Sequence, residues 1–495
     1  MKVSGLPVEK QSLKSKTAEG MAWTTFNTFV VQGINVLFGI ILARILMPYD
    51  YGLIGMLAIF LAISQQFVDG GFRTALIQKS NCSEDDYSTV FYFNLAIAAV
   101  LYVILFLAAP WIAKFYHTLE LIKLTRILSL ILIINALSIV QQARLYIKLN
   151  FKAYALVSLF SVIISASIGF FLAYRGWGVW ALVIQSLSYA LIKTLLIFCF
   201  DRWVPRLFFS LLSFKRLFGF SFRLLGAGLI STLATDVYSM LIGRKFTARD
   251  LGFYTTAQKY PDLLAGAIIN ILQSTTFPVL TSVQSDRERM ISIYERLMGM
   301  TVFFVMPIMT LFALLAGSFV NIFLTDKWMP IVPLLQWLCF CRIITTVNFF
   351  NMNVVNVIGR SDLFLKVEII KLFVMISGLA ITIHFGLQAV VVGYFIVASI
   401  CFFINAYYPG KLFGYGAIKQ IKAMRCVICS TLIMSLGIFG LKAILQTDFM
   451  KLLICIPSSV IIYLFLTHLF KIKEAGEVFN IFQLMVLKKK TSISV

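Results

Sequence analysis

The sequence predicts an all-α polytopic membrane protein with about 14 transmembrane helices, arranged as two six-helix lobes in parallel repeat plus two C-terminal helices. Three observations lead to this prediction: the apolar composition, the spacing of long apolar runs, and a sequence match between the two halves. Of the 495 residues, 60% are hydrophobic and 13% are charged. A soluble protein carries about 45–50% apolar and about 25% charged residues, so a single water-soluble core cannot accommodate this chain.

Long apolar runs recur along the whole chain. A helix crosses the hydrocarbon core of a bilayer with about 20 mostly apolar residues. The first run is too long for a signal-peptide core and lacks a small-residue cleavage site, so we expect it to be retained as the first helix. On this scale the predicted spans are 21–46, 51–68, 87–109, 121–146, 153–173, 178–200, 215–243, 250–277, 293–316, 329–356, 363–383, 388–406, 418–442 and 450–468.

The charge distribution predicts the orientation of these spans. The net charge is +22, from 43 Lys and Arg against 21 Asp and Glu. With the N terminus in the cytoplasm, the inner loops and tails hold about 27 basic residues and the outer loops about 10, as the positive-inside rule requires. Both termini are therefore predicted to be cytoplasmic. No basic stretch alternates with exposed aromatic residues, so we expect no nucleic acid partner.

A short segment of the first half is repeated in the second. Residues 42–52 (LARILMPYDYG) align with residues 242–252 (IGRKFTARDLG) at an offset of 200, and six predicted spans separate the two copies. Both copies therefore have the same orientation, which defines a parallel repeat. We expect each repeat arginine to snorkel at the outer end of its helix and pair with the repeat aspartate; direct contact with substrate is the alternative. The shared residues are Arg44, Asp50 and Gly52 in the first copy and Arg244, Asp250 and Gly252 in the second.

The repeat and the spans together predict the organisation of the chain. Two lobes of six spans are joined by a basic linker, and the last two spans lie outside the repeat. The predicted segments are a cytoplasmic basic tail (1–20), an N-lobe (21–200), a cytoplasmic linker (201–214), a C-lobe (215–410), two further spans (411–470) and a second cytoplasmic basic tail (471–495).

Several stretches resemble one family of membrane proteins. They are the polar first span AWTTFNTFVVQGINVLFGIILARIL, the turn MPYDYGLIGM, the loop FVDGGFRTALIQK and the stretch GRSDLF at 359–364. With the basic tail, they are similar to Wzx-type polysaccharide flippases and to the colanic-acid or teichuronic-acid exporters of the MOP superfamily. The resemblance extends over nearly the whole chain.

The resemblance implies a fold and a function. Members of this family have a dozen or more spans in two lobes around a central cationic cavity. They move undecaprenyl-pyrophosphate-linked oligosaccharide from the inner to the outer leaflet of the bacterial plasma membrane. Two extra C-terminal helices occur in the lipid II flippase branch, where they help to form a groove for the lipid tail. The implied partners are thus a lipid-linked oligosaccharide, membrane lipids and other polysaccharide-assembly proteins.

Charged side chains inside the spans are the main candidates for substrate contact, because such charges usually face a cavity. Arg223 in span 7 and Arg342 in span 10 each offer a guanidinium fork suited to pyrophosphate, with a carboxylate or carbonyl partner between helices as the alternative. Asp236 and Lys259 lie at similar depth in spans 7 and 8 and are expected to meet as an ion pair, with a pair that breaks during transport as the alternative. Asp262, one turn beyond Lys259, is a rival partner.

Uncharged polar residues in the spans give weaker signals. Asn27, Gln32 and Asn35 in span 1 suit either sugar hydroxyls or hydrogen bonds between helices. Span 10 carries a row of asparagines on its cytoplasmic half that is predicted to line the inner mouth, namely Asn348, Asn351, Asn353 and Asn356.

The sequence gives no sign of an enzyme. It contains no GxxxxGK[ST] phosphate loop, no HExxH motif and no Ser-His-Asp pattern, so we expect no cofactor and no catalytic metal. Lipid-linked oligosaccharide translocation is the favoured function. The alternatives are an ion-coupled drug or metabolite antiporter of the same superfamily and a membrane-embedded glycan polymerase or transferase. The antiporter is expected to carry a carboxylate deep in the N-lobe spans, where the sequence offers only Asp69, near a helix end.

Overall fold

The computed structural model describes residues 8–79, 82–282, 287–357 and 360–476. Within these ranges the regular structure is helical, and no β-strand is present. A helix bonds its own backbone groups internally, which is the requirement for a chain that crosses lipid. The predicted all-α class is confirmed. Side chains are described throughout these ranges except at 8–22, 24–26, 220, 223, 227, 271–282, 287, 356–357 and 361.

The chain divides into two compact units, Met1–Thr255 and Thr256–Val495. The helices of the first unit are α1 (Val8–Ile45), α2 (Pro48–Asp69), α3 (Phe72–Gln78), α4 (Glu84–Tyr116), α5 (Leu121–Leu128), α6 (Leu130–Ile147), α7 (Phe151–Tyr174), α8 (Val179–Phe200), α9 (Leu211–Lys245) and the start of α10 (Ala248–Ser282).

The second unit contains the rest of α10 and six further long helices. They are α11 (Arg287–Phe319), α12 (Ile331–Val357), α13 (Ser361–Thr382), α14 (Leu387–Phe413), α15 (Ala417–Ile444) and α16 (Asp448–Leu469), with a π-helical turn at Val320–Leu324 and 3₁₀ turns at Asp326–Trp328 and Ile383–Phe385.

Twelve helical segments of the described chain are long and apolar enough to cross a membrane. Every predicted span coincides with a helix, but α10 and α13 fall outside these twelve. Each of the two helices carries four charged residues, which lowers its hydropathy. The chain is thus a multi-pass membrane protein, and the count of 14 spans is approximate. The sequence also predicts a short amphipathic stretch around 478–487 in the C-terminal basic tail, and this stretch lies outside the described residues.

Each unit has an apolar core of its own. In the first, α2 lies against α4 and α9, and its Leu53, Met56 and Leu57 are buried. In the second, α11 contacts α12, α15 and α16 around Tyr294 and Met298. Helix association inside a bilayer gains little from apolar burial alone, because lipid tails are also apolar. Close fit and polar contacts between helices therefore decide which helices meet.

The break between α2 and α3 depends on two adjacent glycines. Gly70 and Gly71 both have left-handed backbone angles, with φ of +50° and +71°. A Cβ on Gly71 would lie 2.9 Å from the carbonyl oxygen of Ser221 in α9. A side chain here would meet both backbone strain and a clash, so the glycines allow α3 to turn against α9.

The predicted linker at 201–214 is fixed to the first unit. Asp201 accepts hydrogen bonds from Arg144 Nε at 2.7 Å and Lys148 Nζ at 2.6 Å. Trp203 Nε1 donates to Glu84 at 2.6 Å, at the start of α4. Burial of Asp201 opposes its ionisation, but the bonds from Arg144 and Lys148 outweigh it and hold the pKa of this carboxyl below its usual value. The linker is therefore an ordered segment that contacts the start of α4 and the end of α6.

We predict that Asp201→Asn destabilises the protein by about 2–4 kcal/mol near neutral pH, because Arg144 loses its buried counter-ion. The lowered pKa of Asp201 means that this stabilisation is present above the unfolded pKa of about 4 and is lost as the pH falls below it. Thermal unfolding of the purified protein in detergent, from pH 7 to pH 3, measures the difference. The matched control is Asp362→Asn, which breaks an exposed pair with Arg360. Equal effects of the two substitutions at pH 7 would contradict the prediction.

Candidate functional site

The two repeat turns meet each other backbone to backbone. A Cβ built on Gly52 would lie 1.6 Å from the carbonyl oxygen of Ala248, and one on Gly252 would lie 1.8 Å from that of Pro48. Positions 48 and 248, like 52 and 252, are equivalent in the repeat, so the contact is reciprocal. Only glycine leaves room for this approach. The starts of α2 and α10 are thus in direct backbone contact at one end of the first unit.

The repeat aspartates cap helices. Asp50 Oδ2 accepts from the backbone N–H of Met47 at 2.9 Å, and Asp250 Oδ2 accepts from that of Thr247 at 3.2 Å. Each carboxylate therefore bonds an N–H at the start of its own helix, a role different from the predicted ion pair with the repeat arginine. The motif Thr247-x-x-Asp250 is a capping pattern that the sequence already contained.

The repeat arginines lie in the last turns of the helices that precede the two repeat turns, α1 and α9. Arg44 is exposed at the end of α1, as a snorkelling side chain would be. Arg244 Nη1 lies 2.7 Å from His117 Nε2, and its guanidinium lies over the ring of Phe115, 5.3 Å from the ring centroid. Arg244 therefore contacts the end of α4 rather than Asp250.

A polar cluster occurs at the end of α2. Gln65 Oε1 accepts from Asn135 Nδ2 of α6 at 2.9 Å, and Asp69 pairs with Arg73 of α3 at 3.6 Å. The side-chain oxygen of Gln66 lies 2.6 Å from where a Cβ on Gly228 of α9 would be. These contacts join α2 to α6, α3 and α9, which agrees with the structural role expected for a cluster at a turn.

Lys193 is an intramembrane charge that the sequence prediction missed. It lies within the span formed by α8, and its ammonium sits 5.4 and 5.8 Å from the ring centroids of Tyr154 and Tyr189. Its Nζ is 3.5 Å from Tyr154 Oη, and it interacts electrostatically with Asp69. A lysine in an apolar span is itself a signal of function, so the sequence offered the information.

In the second unit, Arg342 of α12 forms an ion pair with Asp262 of α10. The Arg342 side chain is 18% exposed and that of Asp262 is 40% exposed, so the pair is not sealed inside the unit. The sequence prediction gave a partner carboxylate as the alternative for Arg342 and considered Asp262 only as a partner of Lys259. A second pair, Lys371 with Glu368 at 2.6 Å, lies on α13.

The remaining charged candidates are placed as follows. Arg223 lies in α9, and its side chain is outside the described part of the structure. Asp236 is half-buried in α9 of the first unit, and Lys259 is half-buried in α10 of the second. Their pairing stays a prediction.

The polar residues of span 1 differ in burial along α1. Asn27 is half-buried beside Ala155 and Leu156 of α7, where its Oδ1 has no partner among the described residues. Gln32 is half-buried, whereas Asn35 is exposed. Asn35 is thus the member of this group that is most accessible on the first unit.

The asparagines of α12 are used for contacts between helices. Asn351 bonds Tyr294 of α11, and its Oδ1 accepts from Gln420 Nε2 of α15 at 2.9 Å. Asn348 Nδ2 donates to the carbonyl oxygen of Ala398 in α14 at 3.4 Å. Both side chains are buried between helices, so these two members of the row do not line an open mouth. The bilayer makes these polar bonds between helices useful as structural contacts.

Comparison with known proteins identifies the family. Residues 41–333 match the family described as polysaccharide biosynthesis protein. The chain belongs to this family. One relative is the teichuronic acid biosynthesis protein TuaB of Bacillus subtilis (strain 168), 24% identical over 71% of this chain and 73% of the relative. Another is the lipopolysaccharide biosynthesis protein WzxC of Escherichia coli (strain K12), 24% identical over 75% of this chain and 76% of the relative.

Solved structures of other proteins share the fold of this polysaccharide biosynthesis protein. The lipid II flippase MurJ, in an inward closed conformation, superimposes with a TM-score of 0.74 at 18% identity, over 92% of this chain and 98% of MurJ. An inward-facing multidrug resistance transporter of the MATE family and MOP superfamily gives a TM-score of 0.62 at 17% identity, over 78% of this chain and 96% of that one. These similarities show that the fold is shared.

We predict that Gly52→Ala or Gly252→Ala destabilises the protein by about 1–3 kcal/mol or more, because the added methyl group overlaps a backbone carbonyl that cannot rotate away. Thermal unfolding in detergent gives the measurement. Gly33→Ala is the control, since a Cβ on this α1 residue meets no atom within 4 Å. Stability equal to that of Gly33→Ala would show that the two turns do not depend on close contact.

We also predict that Arg342 and Asp262 are energetically coupled by about 1–2 kcal/mol. Arg342→Gln and Asp262→Asn should each lower the unfolding temperature, because each leaves an unmatched charge within the helices. The double variant should lose less stability than the sum of the losses in the two single variants. A double-mutant cycle by thermal unfolding measures this, with Lys114→Gln, an exposed cation of α4, as a charge control. Additive losses would show that the pair does not interact.

Proposed function

We propose that this chain is a flippase that moves undecaprenyl-pyrophosphate-linked oligosaccharide across the bacterial inner membrane by alternating access, for surface polysaccharide synthesis. The observation that carries the proposal is the partly exposed Arg342–Asp262 pair within the helices of a polysaccharide biosynthesis family member. The relatives TuaB and WzxC are named for teichuronic acid and lipopolysaccharide biosynthesis, and MurJ for lipid II flipping. All three names concern the building of bacterial surface polymers.

The chemistry of Arg342 suits the anionic head group. A guanidinium donates two parallel hydrogen bonds to a phosphate, and it stays charged at every physiological pH. Asp262 neutralises it while the site is empty. When pyrophosphate arrives, the arginine exchanges the carboxylate for the phosphate oxygens. We include Arg223 of α9 and Lys193 of α8 as further cations for this head group.

The polar groups of the spans complete the proposed path. We assign Asn27, Gln32 and Asn35 of α1 to sugar hydroxyls. Asp236 and Lys259 are assigned to a pair that breaks and re-forms during transport. Each group offers the hydrogen bonds that a sugar or a counter-ion requires inside a low-dielectric medium.

Alternating access needs one side of the chain to close while the other opens. Both termini are placed in the cytoplasm by this proposal, so the joined repeat turns at Gly52 and Gly252 lie at the outer face. Their contact closes the outer side while the head group enters from the cytoplasm. The polyprenyl tail stays in lipid. The proposed partners are the lipid-linked oligosaccharide, membrane lipids and other polysaccharide-assembly proteins.

The test is flipping of a pyrophosphate-linked polyprenyl oligosaccharide in proteoliposomes that contain the full chain. We expect wild type to flip it and Arg342→Gln to slow flipping by about tenfold, which equals about 1.4 kcal/mol. Arg342→Lys keeps the charge but loses the bidentate fork, so an intermediate rate is expected. Lys193→Gln and Arg223→Gln are also expected to slow flipping. Lys114→Gln is the control, because this exposed side chain lies at the end of α4.

The same experiment tests the alternatives. Folded wild type that does not flip the lipid but gives cells resistance to cationic dyes would make the chain an antiporter. Turnover of a sugar donor by the purified protein would make it a glycan transferase or polymerase. Flipping at the wild-type rate by folded Arg342→Gln would remove this arginine from the site and leave the flippase function standing.

A further inference from the structure

The second unit contains a basic cavity at the shared end of α11, α15 and α16. Its volume is about 570 Å³, within the range of small-ligand sites. The described residues that line the cavity belong to α11, to α15 with the preceding Tyr415, and to the segment after α16. The Arg342–Asp262 pair lies on two other helices, α12 and α10. Its cationic lining residues are Arg296, Lys422, Arg425, Lys471 and Lys473.

The chain reverses direction sharply after α16, and the residues of this reversal form one side of the cavity. Lys471 has a left-handed backbone, with φ of +50°, and the N–H of Ile472 donates to the carbonyl oxygen of Thr467 at 3.0 Å. Ile472 is 8% exposed and packs into the apolar core with Tyr294 and Met424. Burial of this isoleucine offsets the cost of the left-handed residue. The basic segment around Lys471 and Lys473 is therefore held against α11 and α15.

The charge of the cavity is unbalanced. Five cations face two carboxylates, Glu295 and Glu474, so the lining carries an excess of three positive charges. Lys422, Lys471 and Lys473 form no ion pair with any residue that the structure describes. Like charges this close repel one another, and an anion relieves the repulsion.

The position of α15 adds to the positive potential. Lys422 and Arg425 lie in the first three turns of the helix, and its first turn contains no acidic residue. The N-terminal end of a helix carries a partial positive charge, which normally favours Asp or Glu there. No acidic side chain in the first turn of α15 offsets the cations that line the cavity.

The cavity also offers a neutral hydrogen-bond donor. Tyr415 lines it, and burial, with Glu295 and Glu474 nearby, raises the pKa of this phenol to about 12. The hydroxyl therefore keeps its proton at neutral pH and can donate to an anion. Beneath it, the Gln420 side chain donates to the backbone carbonyl of Tyr415 at 3.0 Å and joins the buried Asn351.

Apolar side chains beside the cavity indicate the source of the anion. Ile418 of α15 is 71% exposed, and Leu469 and Phe470 at the end of α16 are also exposed. Both helices are candidate membrane spans, so their ends lie at the level of the lipid head groups. A cationic cavity next to exposed apolar side chains matches a molecule with a phosphate head and acyl chains.

We propose that this basic cavity binds the phosphate of an anionic phospholipid from the adjacent leaflet. The phosphate lies among Lys422, Arg425 and Lys473, and the acyl chains lie along Ile418 and Phe470. The bound lipid joins α15, α16 and the segment after them to α11. This site is separate from the proposed transport path, so its occupancy does not depend on flipping.

The test measures lipid binding to the full chain by native mass spectrometry from detergent, with phosphatidylglycerol and phosphatidylcholine as probes. We expect wild type to retain phosphatidylglycerol, and Lys422→Gln/Arg425→Gln to bind it about tenfold more weakly. The matched control is Lys411→Gln/Lys419→Gln, which removes two exposed cations at the neighbouring end of α14 and start of α15 that do not line the cavity. Its affinity should stay within about twofold of wild type. Equal losses in both double variants would show that net charge alone attracts the lipid and would overturn the proposal.

Two further measurements distinguish the other outcomes. Lys473→Gln lies beyond the helices α1 to α16 and serves if the double variant does not fold; wild-type affinity in Lys473→Gln would then overturn the proposal. Inorganic phosphate alone, followed by thermal unfolding, tests for a soluble ligand. Stabilisation by phosphate that Lys422→Gln/Arg425→Gln abolishes, without retention of phosphatidylglycerol, would replace the lipid by a soluble anion. Wild type that retains the lipid but does not flip oligosaccharide would support this site and contradict the transport proposal.

Discussion

The hydrocarbon core of a bilayer offers no hydrogen bonds, and this constraint governs both the helices and the charges of the structure. The backbone meets the constraint by forming helices throughout the described chain. The charged side chains meet it by pairing, as in Arg342 with Asp262 and Lys371 with Glu368. Because apolar surfaces gain little from meeting each other in lipid, such pairs help to select neighbouring helices. A charge that remains in a span therefore has a structural cost that function must justify.

The repeat explains how two parts of the chain, 200 positions apart, come into close contact. Gly52 approaches Ala248 and Gly252 approaches Pro48, and the two approaches are equivalent under the repeat. A contact of this kind needs no polar group at the interface, because the backbones themselves touch. It also has little tolerance, since one added methyl group on either glycine prevents it. The close approach of the two glycines contains no ion pair.

Apolar runs of the sequence predicted the helices well, because the bilayer fixes their length and composition. The break at Gly70–Gly71 was visible as a glycine pair, and the cap at Asp250 as a Thr-x-x-Asp pattern. The partner of Arg342 was not predictable, since Asp262 lies 80 positions away on another helix and no periodicity relates the two. The role of Asn351 was misjudged for the same reason: a row of asparagines along one helix does not reveal which neighbours cover it.

Two arrangements of cations in this chain differ in how tightly they can hold an anion. Arg342 has a resident carboxylate, so a phosphate that binds there displaces Asp262 and gains only the difference between two interactions. When the interactions of Arg342 with phosphate and with Asp262 are similar in free energy, the phosphate is easily released, as transport requires. The basic cavity has an excess of positive charge among its lining residues and lies at the ends of two candidate spans, where cations remain hydrated. An anion there need not displace a carboxylate from Lys422, Lys471 or Lys473, which form no ion pair with any residue that the structure describes. Whether a cation already has a counter-ion thus decides what an arriving anion must displace, both within the spans and at their ends.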